Sequence, residues 1–556
     1  MNLPSEVRKR GWMVDWVRMG FVWSEITIQN GVIAAIESKP DTFTSDERML
    51  KGSLILPGLV DAHVHIESSM MPPSRFAEIA VRHGTVATVS DPHEIANVLG
   101  DEGIEFMMKD GLTVPLKFHF TYPSCVPATT FETSGAVLGS VHVERGLGEG
   151  SFVALGEMMN FPGVVFGDHE VMAKLEAAIS RGLPVDGHAP ALTGGDLITY
   201  VKAGISTDHE CASLLEAEEK LSLGMKILIR EGSAARNFDA LAPLLDKYPE
   251  RVMLCCDDIH PDDLCEGHID AIIRKGMSKG ISLINLLRAA TINPHEHYRL
   301  KTGVMRIGDP ADFIVVDRVD PFSVDETWID GTCVARNGET LFKVSPVPEL
   351  NIFRAVETSP ELFGISASTG LFRVIRAYDG EILTGHETEW LTETDGVIQA
   401  DPEKDLLKIS VVNRYKPSYP VTGFIKGFGL KNGAIASSVA HDSHNIIVVG
   451  TSDVDMAGAV NMLVASHGGI SVFSDGEGSV LPMPLAGLMS PAPGEETAHR
   501  YRELSIRVKL LGSTLSAPFM TLSFMALLVI PSLKIGDQGL FDGSLFKFVG
   551  IRADEA

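Results

Sequence analysis

The chain has 556 residues, too many for one compact core, and length alone predicts roughly two to four domains. With 47 Lys and Arg against 73 Asp and Glu, its formal charge of −26 argues against nucleic acid or an anionic membrane as the main partner. A content of 45% hydrophobic and 22% charged residues is that of an ordinary globular protein, not of a disordered or fibrous one.

The first readable element is a hairpin over Ile26–Ile36, with its turn at Asn30-Gly31. From residue 53 to about 292, short apolar runs alternate with helical patterns. The predicted strands are Leu54–Val60, Thr85–Ser90, Leu116–Thr121, Phe152–Leu155, Leu183–Asp186, Ile205–Thr207, Lys226–Ile229 and Val252–Cys255. Helical patterns follow several of them, at Ser74–Arg82, Glu170–Ser180, Gly195–Lys202, Leu214–Leu223 and Asn285–Ala290. Eight strands with interleaved helices predict an α/β fold of the (β/α)8 barrel type. An open doubly wound sheet is the alternative, but no G-x-G-x-x-G loop follows the first strand. Gly303–Asp317 reads as a second hairpin, turning at Gly308-Asp309-Pro310.

Four domain segments are expected. Residues 1–52 and 301–345 together build a small β-sandwich from both flanks. Residues 53–300 form the barrel, and residues 346–556 form a separate C-terminal α+β domain. Within the last, Val421–Ile425, Ile435–Val439 and Ile446–Val449 read as strands, and Met456–Ala465 as a helix. Pro491–Glu496 reads as an exposed loop. Phe519–Ile530 is too short to span a membrane and reads as a buried core segment. The six cysteines show no C-x-x-C spacing, and the N-terminal stretch has no long apolar run. Both predict a cytoplasmic protein without a secretory signal.

The chemistry is concentrated at the strand ends. His63 and His65 close the first strand, and residues i and i+2 of a strand share a face, so both imidazoles can reach one metal ion. The fourth strand runs into Glu157, the fifth ends at His188, the sixth at Asp208-His209-Glu210, and the eighth at Cys255-Cys256-Asp257-Asp258. In such a barrel the C-terminal strand ends form the active-site face, so four histidines and two carboxylates converge there. Imidazole and carboxylate donors suit zinc, manganese or ferrous iron, and a carboxylate between two ions can bridge them. His93 and Glu94 follow the second strand, Glu67 lies two residues past His65, and His441-Asp442-Ser443-His444 lies between two C-terminal strands. Glu67, His93, Glu94, Asp258, His441 and His444 are candidate substrate contacts. His260, His268, His295 and His297 read as structural or surface residues.

Several long runs resemble the bacterial adenine deaminases of the amidohydrolase superfamily: LPGLVDAHVHIESSM (56–70), GTVATVSDPHEIANVLG (84–100), ALGEMMNFPGVV (154–165), DGHAPALTG (186–194), GISTDHEC (204–211), DDIHPDDL (257–264) with EGHID (266–270), ATINPHEHYRL (290–300), GFGLKNGAIASSVAHDSHNIIVVG (427–450) and PFMTLSF (518–524). The resemblance implies hydrolytic deamination of adenine to hypoxanthine and ammonia at a two-metal site, in purine salvage. It implies that His63, His65 and Asp257 hold one ion, that His188 and His209 hold the other, and that Glu157 bridges them. Asp257, taken in preference to Asp258, also moves the protons. The resemblance favours Mn2+ or Fe2+ over Zn2+ and implies a homo-oligomer, a dimer or a tetramer. Hydantoinase-like and dihydroorotase-like enzymes are the nearest alternative, but they carry a lysine where this chain has Glu157. The zinc nucleobase deaminases need P-C-x-x-C after H-x-E, and none follows His65-Ile66-Glu67. A non-catalytic barrel is expected to lose ligands, and all six candidates are present.

Overall fold

The computed structural model of the protein describes residues 6–554. One sheet draws strands from both flanks of the central region. Across it lie Glu339–Thr340, Thr332–Arg336, Ser323–Ile329, Phe313–Arg318, Leu54–Pro57, Val7–Asp15, Gly20–Gln29 and Val32–Ser38. The strands belong to one eight-stranded sheet, where the sequence predicts a sandwich. Ile26, Ile28, Ile55, Phe313 and Trp328 form its own core, while Phe21, Leu54 and Leu56 join the main core of the molecule. The hairpin turn sits at Asn30 (φ 51°) and Gly31 (φ 81°), the left-handed pair that a tight two-residue turn needs. Gly303–Asp317 is not a hairpin. Gly308 and Asp309 instead pack against Ile33, and the strand Phe313–Arg318 pairs with Leu54–Pro57 and Ser323–Ile329.

Eight short parallel strands follow: β1 (Leu59–Val64), β2 (Thr85–Ser90), β3 (Lys117–Phe120), β4 (Leu155–Met158), β5 (Val185–Gly187), β6 (Thr207–Asp208), β7 (Lys226–Arg230) and β8 (Val252–Cys255). Backbone pairing runs around the ring. Tyr122 bridges to Leu155, Ser206 N donates to Val185 O, and Val64 bridges to Asp257. The predicted strand Leu54–Val60 is in fact two. It divides at Gly58, where a Cβ would fall 2.3 Å from a Val86 methyl. Leu54–Pro57 joins the flanking sheet and Leu59 starts the barrel. Strands β4, β5 and β6 also begin later than predicted, which places Glu157 inside β4.

The C-terminal region holds a second eight-stranded sheet, in the order Gly385–Leu391, Gly370–Arg376, Val421–Lys426, Leu407–Val412, Ile446–Gly450, Ala434–Ser437, Gly469–Ser474 and Glu477–Pro482. The helix Asp453–Ala465 covers one face through Met456, Val460 and Leu463. The other face, with Ile409, Ile425, Ile447 and Val472, joins the main core shared with the barrel. Pro491–Glu496 is only in part the expected loop, because Gly494 starts a helix, Gly494–Leu510, and is itself buried. Phe519–Ile530 is buried as predicted, and its first turns form the helix Pro518–Phe524. Among the described residues no helix is long and apolar enough to cross a membrane.

Candidate metal centre

The C-terminal ends of the barrel strands bring the predicted ligands together. His63 lies in β1 and His65 just beyond it, their ring centroids 4.8 Å apart. His63 also stacks on His209 at 4.3 Å. Glu157 is the hub. Its Oε2 lies 2.9 Å from His188 Nδ1 and 3.0 Å from His209 Nε2, and its Oε1 lies 3.3 Å from His65 Nε2 and 3.4 Å from His93 Nδ1. Asp257 Oδ1 lies 3.3 Å from His65 Nε2. All these side chains are buried or nearly so.

The donor set fits metal. His65 Nδ1 sits 3.0 Å from the Asp91 carbonyl, which can only accept, so Nδ1 carries the proton. Nε2 then turns a lone pair toward carboxylate oxygens of Glu157 and Asp257, an arrangement that calls for a cation between them. His63 Nε2 and His188 Nε2 are buried without any hydrogen-bond partner. Four imidazoles gathered on one carboxylate would repel if each were protonated, whereas neutral imidazoles are ligands. Three-residue clusters of suitable reach include His63–His65–Asp257, His63–Glu157–His209, His65–His93–Glu157 and His188–His209–Glu210.

The surrounding residues hold these donors in place. Asp91 Oδ2 accepts from Glu157 N at 2.9 Å, which requires Gly156, because a Cβ there would meet Asp91 Oδ2 at 2.2 Å. Asp61 Oδ1 accepts from the backbone N–H of His63 and of Cys256, and its Oδ2 faces His268 Nε2 at 2.9 Å. Behind the second pair of histidines, fully buried Lys220 donates to Asp208, Glu216 and the Ala189 carbonyl at 2.7–2.9 Å. Asp208 in turn accepts from Ala189 N and Glu210 N. Such outer partners fix ligand orientation.

Sequence reasoning missed Arg230 and Glu210. Arg230, at the end of β7, holds both Glu210 oxygens and lies 2.5 Å from Asp257 Oδ2. Burial acts to raise the Asp257 pKa, but Arg230 and the neighbouring histidines hold it well below the usual carboxylate range. Asp442 was also unassigned. Its Oδ1 lies 3.8 Å from His93 Nε2.

The candidate substrate contacts divide. His93, Glu94, Asp258 and His441 line the cavity beside the candidate metal ligands, while Glu67 and His444 do not. Glu67 accepts from Ile95 N, and burial together with Glu94 pushes its pKa up to about 7. Ser68 Oγ donates to both Asp258 and Glu94. Burial, then the charge of Asp257, raises the Asp258 pKa to about 6. The C-terminal loop reaches the site. His441 Nδ1 lies 3.3 Å from Glu94 Oε1, and Asp442 enters the cavity wall beside it. Ile382, Phe524 and Leu527 complete that wall with apolar surface. Of the four histidines read as structural or surface, His260 and His268 are buried. They bind Tyr501 and Thr85, respectively.

Comparison with known proteins shows the family. Residues 54–334 match the amidohydrolase family, and residues 381–547 match the adenine deaminase C-terminal domain. Curated adenine deaminases from Methanosarcina mazei (52% identical), Methanosarcina acetivorans (53%) and Salinibacter ruber (52%) each align over 98% of this chain and 99% of their own length. The barrel ligands and the C-terminal wall thus fall inside two matched segments of one lineage, and the chain belongs to the adenine deaminase family of the amidohydrolases.

Proposed function

We propose that this chain hydrolyses adenine to hypoxanthine and ammonia, with two divalent metal ions resident at the barrel mouth. One observation carries the reading. A single carboxylate, Glu157, faces imidazoles from β1 on one side and from the β5 and β6 ends on the other. In this reading His63, His65 and Asp257 would hold the first ion, His188 and His209 the second, and Glu157 would serve both. His93 and Glu210 stand close enough to join either set. The donors include no thiolate, and the family resemblance places Mn2+ or Fe2+ ahead of Zn2+. Bound there, the ions would lower the pKa of water from 15.7 toward about 7 and so supply the nucleophile at neutral pH.

The chain's own residues do the rest. Adenine lies with C6 toward Glu157 and Asp257 and its flat face against the C-terminal wall. Asp257 is ionised and takes the proton that water gives up on attack at C6. It returns that proton to the amino nitrogen, while N1, to which the C6=N1 electron pair moves on attack, takes up the remaining proton of the new hydroxyl group, so the C6–N bond breaks with release of ammonia and C6 becomes a carbonyl. Asp258 and Glu94, both joined to the Ser68 hydroxyl, would face the ring nitrogens. Arg230 keeps Asp257 aimed and charged. In the same reading the chain divides into the flanking β domain (1–52 and 301–345), the catalytic barrel (53–300) and a C-terminal domain (346–556) that closes the site.

Ammonia release from adenine, adenosine, cytosine, guanine and hydantoin, with manganese supplied, tests the proposal. Adenine should be the substrate turned over. Release from adenosine but not adenine overturns it, and release from hydantoin alone points to a cyclic-amide hydrolase.

A further inference from the structure

Lys534 is fully buried in the strand Leu533–Gly536. Its Nζ donates to the carbonyls of Ile382 at 2.7 Å and Phe524 at 2.9 Å. Burial is the sole influence on its pKa, drawing it down to about 7, with no carboxylate to offset it. An ammonium buried this way is costly, and a methionine of similar length would fill the space with less penalty.

The two carbonyls it binds belong to the two segments that line the metal cavity with apolar surface. Ile382 lies between the strands Gly370–Arg376 and Gly385–Leu391, and Phe524 ends the helix Pro518–Phe524. The Phe524 ring stacks on His441 with centroids 5.2 Å apart and planes 29° apart, and His441 N donates to Ser523 O at 3.2 Å. The neighbours of Lys534 tie the same two segments: Thr384 Oγ1 donates to Leu533 O, and Ile535 N donates to Met525 O. The cavity lining thus combines the polar side chains at the strand ends with apolar surface from Ile382, Phe524 and Leu527. A planar heterocycle with hydrogen-bonding edges fits such a lining, since an aromatic ring accepts stacked or edge-on neighbours over only a narrow range of separations.

We propose that Lys534 is a positioning residue: by tying Ile382 to Phe524 it sets the width of the apolar slot in which the purine ring lies against Phe524. The proposal rests on the adenine reading and adds the element that selects ring shape. Lys534 touches neither the metal ligands nor the reacting atoms. Its effect is on where the ring rests relative to Asp257 and Glu157, and a misplacement of about 1 Å costs on the order of a hundredfold.

Adenine turnover by the wild type is measured first, then Lys534→Met, Phe524→Leu and the double variant. Lys534→Met should keep its metal content and melt no lower than wild type. Its kcat/KM for adenine should fall roughly tenfold to a hundredfold, mostly through KM, with inhibition by purine weakened in step. Phe524→Leu should shift the same parameters, and the pair should be less than additive. Wild-type kcat/KM in Lys534→Met overturns the proposal. So does a loss that tracks loss of metal or of melting temperature, or strict additivity with Phe524→Leu. If Lys534→Met does not fold, Phe524→Leu decides, and a wild-type KM there overturns it. If the wild type fails to turn over adenine, the functional reading fails by itself. Purine affinity, measured by calorimetry on the same proteins, then decides the slot: weaker binding to Lys534→Met supports it, and equal binding overturns it.

Discussion

Two fully buried lysines of this molecule, Lys220 behind the candidate metal ligands and Lys534 behind the apolar wall, are treated in opposite ways. Lys220 meets two carboxylates, which raise its pKa against the pull of burial. Lys534 meets only carbonyls, and burial lowers its pKa. The barrel floor is a closed ionic network, in which each charge needs the others. The C-terminal wall spends a charge to hold geometry, at a loss in stability. The contrast teaches where rigidity is bound up with folding and where it serves the fit of a substrate.

The sharpest break between the regions is chemical. Asp257→Asn should lower kcat by about 10²–10⁴-fold while part of the metal content survives. Near-normal turnover in that variant would remove Asp257 from the mechanism. Lys220→Met should then separate the lysines by stability. It leaves Asp208 and Glu216 buried without their cation, so urea denaturation should show a loss of about 3–5 kcal/mol. Lys534→Met should show none, and equal losses would erase the distinction drawn here.

Metal removal tests the same contrast. A ligand at 100 times its Kd stabilises by about 2.7 kcal/mol, so chelation should lower the melting temperature and added manganese should restore it. Amide exchange should rise around His63–His65 and His188–His209 and stay low in Leu533–Gly536. Uniform loosening would mean that the wall depends on the metals.

The pH dependence of Lys534→Met follows from linkage. A lysine whose folded pKa is depressed binds fewer protons folded than unfolded between about 7 and about 10.4. Wild-type stability therefore carries a penalty that is complete below about pH 7 and vanishes as pH rises past the unfolded pKa. The advantage of Lys534→Met over wild type should be largest at neutral pH and shrink toward pH 10. A constant difference would show that Lys534 titrates in the fold as it does in the unfolded chain, with no depression of its pKa. The smallest expected effect is that of Ser213→Ala. It removes the cap on Glu216 N at the start of the helix Leu214–Ser222, which carries Lys220, and should cost about 1 kcal/mol with metal content unchanged.

The clustering of the candidate ligands was legible because strand geometry is local. His63, His65, Glu157, His188, His209 and Asp257 each stand at an apolar run's end, and the barrel brings such ends together without help from distant residues. Arg230 escaped because the seventh strand was read one residue short, at Ile229, leaving a strand end with no polar residue. Glu210 and Asp442 were in quoted motifs but sat beside histidines that drew the assignment. The split at Gly58 and the false hairpin over Gly303–Asp317 share one cause. Both depend on pairing across more than 250 residues, between Leu54–Pro57 and Phe313–Arg318, which no local pattern reveals. Lys534 and Phe524 were illegible for the same reason. Lys534 reads as an ordinary charge in a strand until Ile382, some 150 positions away, is seen beneath its ammonium.

The seam where the last barrel strand meets the first has a further consequence. Asp257 N donates to His63 O, and His65 N donates to Asp257 O, so the two ends of the barrel are sewn together through the residues proposed to hold the first ion. The other donors, Glu157, His188 and His209, lie within one short stretch of chain. During synthesis that stretch emerges complete while His63 and His65 still wait for a partner not yet made. An ion held by His63, His65 and Asp257 would therefore find its donors assembled only once the ring has shut.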